Sequence, residues 1–87
     1  LYLYRKPGEY EKAEEGYQKL LEEDPLDQEA ACAYALMEAL ERKHPEKAEK
    51  ILEKTEACLQ HTQIEKSENM KKTERKIREY QENLAAP

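Results

Sequence analysis

Residues that build β-strands are almost missing from this sequence, which has no Val, no Phe, no Trp and only three Ile. Glu, Lys, Ala, Leu, Gln and Arg dominate instead, and these residues lose little free energy on entering a helix. A pleated sheet is packed mainly from β-branched and aromatic side chains. The sequence therefore predicts an all-α fold.

Proline and glycine interrupt the helical pattern at three points, because they form turns or push the preceding residue out of the helical conformation: Pro7-Gly8, Asp24-Pro25 and His44-Pro45. Between these points, apolar residues recur at steps of three and four, as on the buried face of a helix. The sequence thus predicts helices over 1–6, 9–23, 27–43 and 46–60.

The helix predicted over 27–43 is the most apolar of the set. Its apolar residues extend beyond one stripe, so we expect other helices to cover it on two sides. Asp27 is placed to cap its start. Its neighbours in sequence each carry a single stripe, formed by Tyr10, Ala13, Tyr17, Leu20 and Leu21 in the first and by Ala48, Ile51, Leu52 and Leu59 in the second.

The tail, residues 61–87, contains neither Gly nor Pro before Pro87. Residues 62–65, Thr-Gln-Ile-Glu, fit a capping box, which predicts that a new helix begins there after a kink near His61. One continuous helix over 46–85 is the alternative. We favour a separate helix that packs back on the body through a thin stripe formed by Met70, Ile77, Tyr80 and Leu84.

Charge is unevenly distributed along the chain. The net charge is −5, with −6 in residues 1–60 and +1 in residues 61–87. An acidic body disfavours nucleic acid as the main partner, because such binding depends on neutralising phosphates. The tail carries the one basic cluster, and the glutamates interleaved with it favour a salt-bridged, exposed helix; the basic residues are Lys71, Lys72, Arg75, Lys76 and Arg78.

No arrangement of residues typical of an enzyme or a cofactor site is present. The sequence has no Gly-rich phosphate loop and no nucleophile motif. The two histidines and two cysteines lack zinc-ligand spacing, and two cysteines in helical patterns indicate reduced thiols of a cytosolic or nuclear protein. No apolar run approaches the ~18 residues of a membrane span. We expect no catalysis, no cofactor, no metal and no membrane insertion.

Four residues near the start carry a family resemblance. Tyr4, Ala13, Tyr17 and Pro25 match in spacing the aromatic, small, aromatic and proline positions of the tetratricopeptide repeat (TPR), and Gly8 falls in the turn between that repeat's helices A and B. In such a unit a small residue permits close helix approach, aromatics fill the space between helices, and proline ends helix B. The segment resembles half of one such repeat.

The next segment resembles a second, divergent repeat. Tyr34-Ala35 is similar to a pair in helix A, and Ala48 with Leu52 is similar to helix B, whereas His44-Pro45 replaces the turn glycine and Gln60 the final proline. The resemblance implies antiparallel helical hairpins of a TPR-like solenoid, in three parts: a partial first repeat over 1–26, the divergent repeat over 27–60, and a C-terminal capping or extended charged helix over 61–87.

What the resemblance implies for function is a protein–protein interaction scaffold, whose concave groove holds a peptide or partner helix. Such repeats need about three units for stability, so we expect the chain to belong to a longer array, within a larger assembly. Cys32 and Leu36 stand where chaperone-binding members carry Lys and Asn, which indicates an apolar partner segment or burial under an adjoining element. Carried over by position, the groove residues are Tyr2, Arg5, Lys6, Glu29, Cys32, Leu36 and Ala39.

Two other functions remain open at this point. One is an RNA-contacting repeat protein that uses the basic cluster of the tail, for which affinity falls steeply with salt. The other is an architectural helical spacer whose tail pairs with another helix, for which helicity depends on protein concentration.

Overall fold

A computed structural model describes residues 9–85, with side chains over 9–84. This part of the chain is all-helical and has no strand, as predicted. Our expectations for residues 1–8, including the helix over 1–6, Tyr4 and the Pro7-Gly8 turn, lie outside the described residues. The helices are α1 (Tyr10–Glu23), α2 (Gln28–Leu36, continued by a π-helical turn over Met37–Glu41), α3 (Pro45–His61) and α4 (Glu68–Ala85).

Helix α2 lies at the centre of the fold and packs against all three other helices. The prediction that it is covered on two sides therefore understated its burial. Its small side chains allow this, because Ala30, Ala31 and Ala35 let neighbouring backbones approach closely. The main core, between α2, α3 and α4, contains Cys32, Ala35, Ala39, Ala48, Leu52, Leu59, Met70 and Ile77.

Helices α1 and α2 run antiparallel, since Tyr10 at the start of α1 hydrogen-bonds to Glu41 at the far end of the α2 segment. At the crossing, the rings of Tyr17 and Tyr34 stack with centroids 5.7 Å apart. Ala13 is fully buried beside them. The small residue and the aromatic that carried the family resemblance are thus where two helices meet.

Helix α4 is separate from α3 and folds back over the body. It is antiparallel to α3, because Gln81 bonds to Glu49 and Lys66 pairs with Glu56. It is parallel to α2, since the N–H of Ser67 donates to Gln28 Oε1 at 2.6 Å where both helices begin. The single continuous helix over 46–85 is excluded.

The predicted capping box at residues 62–65 is wrong, because Thr62 closes α3 and does not open α4. Its hydroxyl donates back to the carbonyl of Cys58 at 2.9 Å. Gln63 takes a left-handed conformation with φ of 60°, and the Ile64 N–H reaches the Leu59 carbonyl at 2.8 Å. This is the hydrogen-bond pattern of a helix C-terminus that usually has Gly in the place of Gln63.

The residue that caps α4 is Ser67, whose Oγ accepts the Met70 N–H at 3.1 Å. Replacing Ser67 by Ala is expected to lower the free energy of unfolding by about 1 kcal/mol, because a helix N–H loses its acceptor. Ser67→Asp keeps an acceptor and should stay close to the parent in urea denaturation. Equal stability of the Ala and Asp variants would contradict this cap.

The end of the α2 segment departs from regular α-helix. The Arg42 N–H bonds to the Met37 carbonyl, one residue further back than in an α-helix, and Lys43 then takes a φ of 59°. Such widened turns are rare and often occur at functional positions. Here the turn contains Glu38, a carboxyl-bearing residue that is completely buried.

Candidate functional site

An open groove lies between α1 and α3, with α2 beneath it. Its volume is about 620 Å³, within the usual range of roughly 300–1,000 Å³ for binding pockets. Leu21, Tyr34, Ile51 and Cys58 supply apolar surface, and the buried Thr55 lies among them. We call this the α1–α3 groove; its other lining residues are Gln18, Glu22, Pro25, Lys47, Lys50 and Lys54.

The two walls of the groove differ in charge. The α3 wall carries three lysines at steps of three and four residues, Lys47, Lys50 and Lys54, and so they lie along one face of that helix. The α1 wall contributes Gln18 and Glu22. The groove is therefore locally basic, although the chain as a whole has a net charge of −5.

Three of the four glutamates of α3 lie on its other side. Glu49 and Glu53 line a crevice shared with α4, and Glu56 pairs with Lys66. Lys66 also pairs with Glu74 of α4 at 2.9 Å. These contacts join α3 to α4 and keep these three glutamates away from the α1–α3 groove.

One end of the groove borders a cluster of charged residues around the buried Glu38. Lys47 pairs with Glu14 of α1 and lies 3.8 Å from Glu38 Oε1. Arg42 Nη1 is 3.4 Å from Glu14 and 3.2 Å from Glu38. The Tyr34 hydroxyl donates to Glu14 at 3.2 Å. These contacts connect α1, α2 and α3 at one point.

The pKa values of the two carboxyl groups in this cluster are shifted in opposite directions. The hydrogen bond from Lys47 holds the pKa of Glu14 below its ordinary value of 4.5. Burial, reinforced by the adjacent Glu14, raises the pKa of Glu38 above the same value. Among the described residues, Oε1 of Glu38 has no hydrogen-bond partner, which adds to the cost of keeping the carboxylate ionised.

Replacing Glu38 by Gln is expected to raise the free energy of unfolding relative to the parent, and this gain should grow as the pH rises. A carboxyl whose folded pKa is raised favours folding below pH 4.5 and loses that contribution as the pH passes through the folded pKa. Gln has nearly the same shape and no charge, so we expect the variant to gain stability relative to the parent as the pH rises from 4 to 7.

Urea denaturation across that pH range measures this difference, and Glu15→Gln on the exposed side of α1 is the matched control for removing one negative charge. A Glu38→Gln variant that loses stability relative to the parent as the pH rises would contradict the assignment. It would mean that Arg42 and Lys47 favour the carboxylate more than burial disfavours it.

The four predicted concave-groove residues that the structure describes do not form one open surface. Cys32 and Ala39 are buried in the core beside α4. Leu36 is half-buried at the edge of α4, and Glu29 is exposed. Burial under an adjoining element, the alternative raised by Cys32 and Leu36, describes Cys32 and Ala39. The remaining predicted residues, Tyr2, Arg5 and Lys6, lie outside the described residues.

The basic residues of the tail are spread over three surfaces of α4. Lys72, Arg75 and Lys76 line a shallow crevice beside Leu36, Arg78 faces the glutamates of α3, and Lys71 lies near the loop before α4. Within residues 9–84, Lys71 is the one of the five that forms an ion pair, with Glu68 at 3.7 Å. The expected salt-bridged face is thus present at Lys71 alone.

The sequence analysis missed the α1–α3 groove, although a signal for it exists. Lysines and glutamates of α3 each recur at helical spacing, out of phase with each other, which places them on different faces. The interpretation of glutamates as ordinary solvated residues hid this pattern. Nothing in the sequence distinguishes Glu38, which is buried, from the many exposed glutamates.

The histidines, cysteines and acidic residues in the described part of the chain do not meet what a metal site requires. No three His, Cys, Asp or Glu side chains there come together to hold a metal ion. Cys32 is buried and Cys58 half-buried, both as free thiols, and burial raises the pKa of the Cys32 thiol. None of the helices between residues 9 and 85 combines the length and apolarity needed to cross a membrane.

Comparisons with known proteins found no match to this chain. No protein-family model matches it, and neither the curated proteins nor the solved structures give a match.

Proposed function

We propose that this chain is a TPR-like interaction scaffold that binds an amphipathic helix of a partner protein in the α1–α3 groove, as part of a larger assembly. The observation that carries the proposal is the groove itself, an open channel with apolar side chains at its base and charged side chains along its edges. Helix-in-groove recognition uses this combination, because apolar anchors supply affinity and the edges set orientation.

The TPR-like part of the proposal is supported by the order of helix contacts. In that scheme α1 is helix B of the first repeat, and α2 and α3 are helices A and B of the second. Antiparallel packing of α1 on α2, with Ala13 and the stacked Tyr17 and Tyr34 at the crossing, agrees with it. Helix α4 then takes the position of a capping helix over the face of α2 and α3.

The cover provided by α4 moves the binding surface from where the family resemblance placed it. A partner cannot reach Cys32 or Ala39 while Met70, Thr73 and Ile77 lie over that face. The α1–α3 groove has no such cover from any described element. The locally basic wall further suits a partner helix with acidic residues, since like charges across an interface are costly.

Cys58 allows a direct test, because it lines the groove as a free, half-buried thiol whereas Cys32 is buried beneath α4. The probe is a synthetic amphipathic helical peptide about as long as α3, with Leu along one face, Glu along one flank and Gln along the other. We expect it to slow alkylation of Cys58 by N-ethylmaleimide at least fivefold, with Cys32 as the internal control.

Blocking the groove chemically provides the converse experiment. Chain alkylated at Cys58 should lose peptide binding, whereas Cys58→Ser should retain it, with circular dichroism confirming equal helicity. If the peptide leaves Cys58 labelling unchanged, or binds equally well to the alkylated chain, the proposed function is wrong.

A further inference from the structure

The three lysines on the α3 wall of the groove are not equivalent. Lys47 is engaged with Glu14 and Glu38 in the charge cluster. Lys50 and Lys54 are exposed and form no ion pair within residues 9–84. Two unpaired cations therefore stand at the edge of an apolar channel, four residues and about 6 Å apart along α3.

The α1 wall of the groove is neutral to acidic. Glu22 and Gln18 of α1 face the same channel, and neither presents a positive charge. Glu53, three residues after Lys50, lies toward α4. Glu46, one turn before Lys50, is exposed and forms no ion pair within residues 9–84. The groove thus has a basic edge on one side and a neutral-to-acidic edge on the other.

Resting on the proposed function, we infer that the groove selects a helix whose flank facing α3 carries two carboxylates one turn apart, which pair with Lys50 and Lys54. The flank facing α1 carries neutral or basic residues, because acidic ones would meet Glu22. This asymmetry also fixes the direction in which the partner helix lies, since a helix that runs the opposite way along the groove, with its apolar face still in the channel, would place its carboxylates against Glu22.

Lys47 takes no part in this recognition. Its ammonium group already donates to Glu14 and lies beside the buried Glu38, so a carboxylate of the partner would have to compete with both for it. A carboxylate on the partner at the level of Lys47 gains little, whereas at the level of Lys50 and Lys54 it meets free cations. Specificity is therefore set by these two lysines.

Three synthetic peptides test the inference, and they differ only on the flank that faces α3. One carries two Glu residues four positions apart, the second carries Gln at both positions, and the third carries Lys. We expect the Glu peptide to bind about tenfold more tightly than the Gln peptide at low salt, and the Lys peptide more weakly than both, because each rim ion pair contributes up to ~1 kcal/mol.

The double variant Lys50→Gln/Lys54→Gln should bind the Glu and Gln peptides equally. Lys72→Gln/Lys76→Gln, on the α4 side of the molecule, is the matched control and should keep the preference of the parent. Raising the salt to about 0.5 M should reduce the preference below threefold, since exposed pairs are screened.

The results distinguish failure of the inference about Lys50 and Lys54 from failure of the proposed function. Equal affinity of the parent for the Glu and Gln peptides, or a preference that survives in Lys50→Gln/Lys54→Gln, overturns the inference and leaves the groove as a binding site for an apolar helix. If none of the three peptides binds, the proposed function and the inference both fall.

Discussion

Replacing Ile77 by Ala is expected to lower the free energy of unfolding by about 3 kcal/mol, because buried Ile-to-Ala changes usually cost ~2–5 kcal/mol. Ile77 is 1% exposed and packs in the core that α4 closes over α2 and α3. A domain of this size has roughly 4–12 kcal/mol of total stability, so the loss is a large part of it.

Urea denaturation followed by circular dichroism measures the change. Leu84→Ala is the matched control, since Leu84 lies on the same helix and is 59% exposed. We expect that variant to stay within about 0.5 kcal/mol of the parent. Similar small effects at both positions would contradict the packing of α4 against the body and would reopen the face of α2 that it covers.

Enlarging Ala35 to Leu is expected to destabilise the fold by about 2 kcal/mol or more. Ala35 is 0% exposed, on the central helix, in a core that also receives Leu52 and Met70. A well-packed interior has no room for three extra carbon atoms, so backbones must separate or side chains must leave their preferred rotamers.

The same denaturation experiment applies, with Ala57→Leu on the exposed surface of α3 as the control. That change adds the same atoms where solvent can make room, and it should alter stability by less than about 0.5 kcal/mol. An Ala35→Leu variant as stable as the Ala57→Leu variant would show that α2 is not enclosed as described.

Helix positions followed closely from the sequence. The helices predicted over 9–23 and 46–60 agree with α1 and α3 to within one residue at each end. The capping role of Asp27 is confirmed, since its Oδ1 accepts the Ala30 N–H at 3.0 Å. These features are local, because proline, capping side chains and apolar spacing act within a few residues of where they stand.

The start of α4 could not be predicted from local capping residues and apolar spacing. Residues 62–65 and Ser67 both offer local capping chemistry, and local chemistry alone does not decide between them. Tertiary contacts do: Gln28 of α2 accepts the Ser67 N–H and donates to the Glu65 carbonyl, which fixes the loop before α4. The two partners are almost forty residues apart in sequence.

The candidate site depended on information that periodicity does not contain. An apolar stripe shows that a face is covered, but not by which helix. The family resemblance placed Cys32 and Ala39 on an open groove, and α4 covers them because Met70, Thr73 and Ile77 bury against the same face. The open channel lies on the other side of α2, where α1 and α3 stand apart.

The two ends of the groove differ in how firmly their residues are held. Its Lys47 end is tied to the Glu14–Glu38 cluster and is therefore held in place by buried contacts. Its other end, near Pro25 and Cys58, is bordered by less buried residues. Preorganisation at one end reduces the ordering cost of binding there, so a partner's principal apolar anchor is expected near Tyr34 and Ile51.

Amide chemical-shift mapping by NMR tests the central claim most directly, with the acidic-flanked amphipathic peptide titrated into the chain. Binding in the α1–α3 groove predicts that the largest shifts fall on Leu21, Ile51, Thr55 and Cys58, while Asn69, Lys72 and Thr73 of α4 stay unchanged. Shifts centred on α4, or loss of the contacts between α4 and α2 as peptide is added, would contradict the account and place the partner on the face that α4 covers.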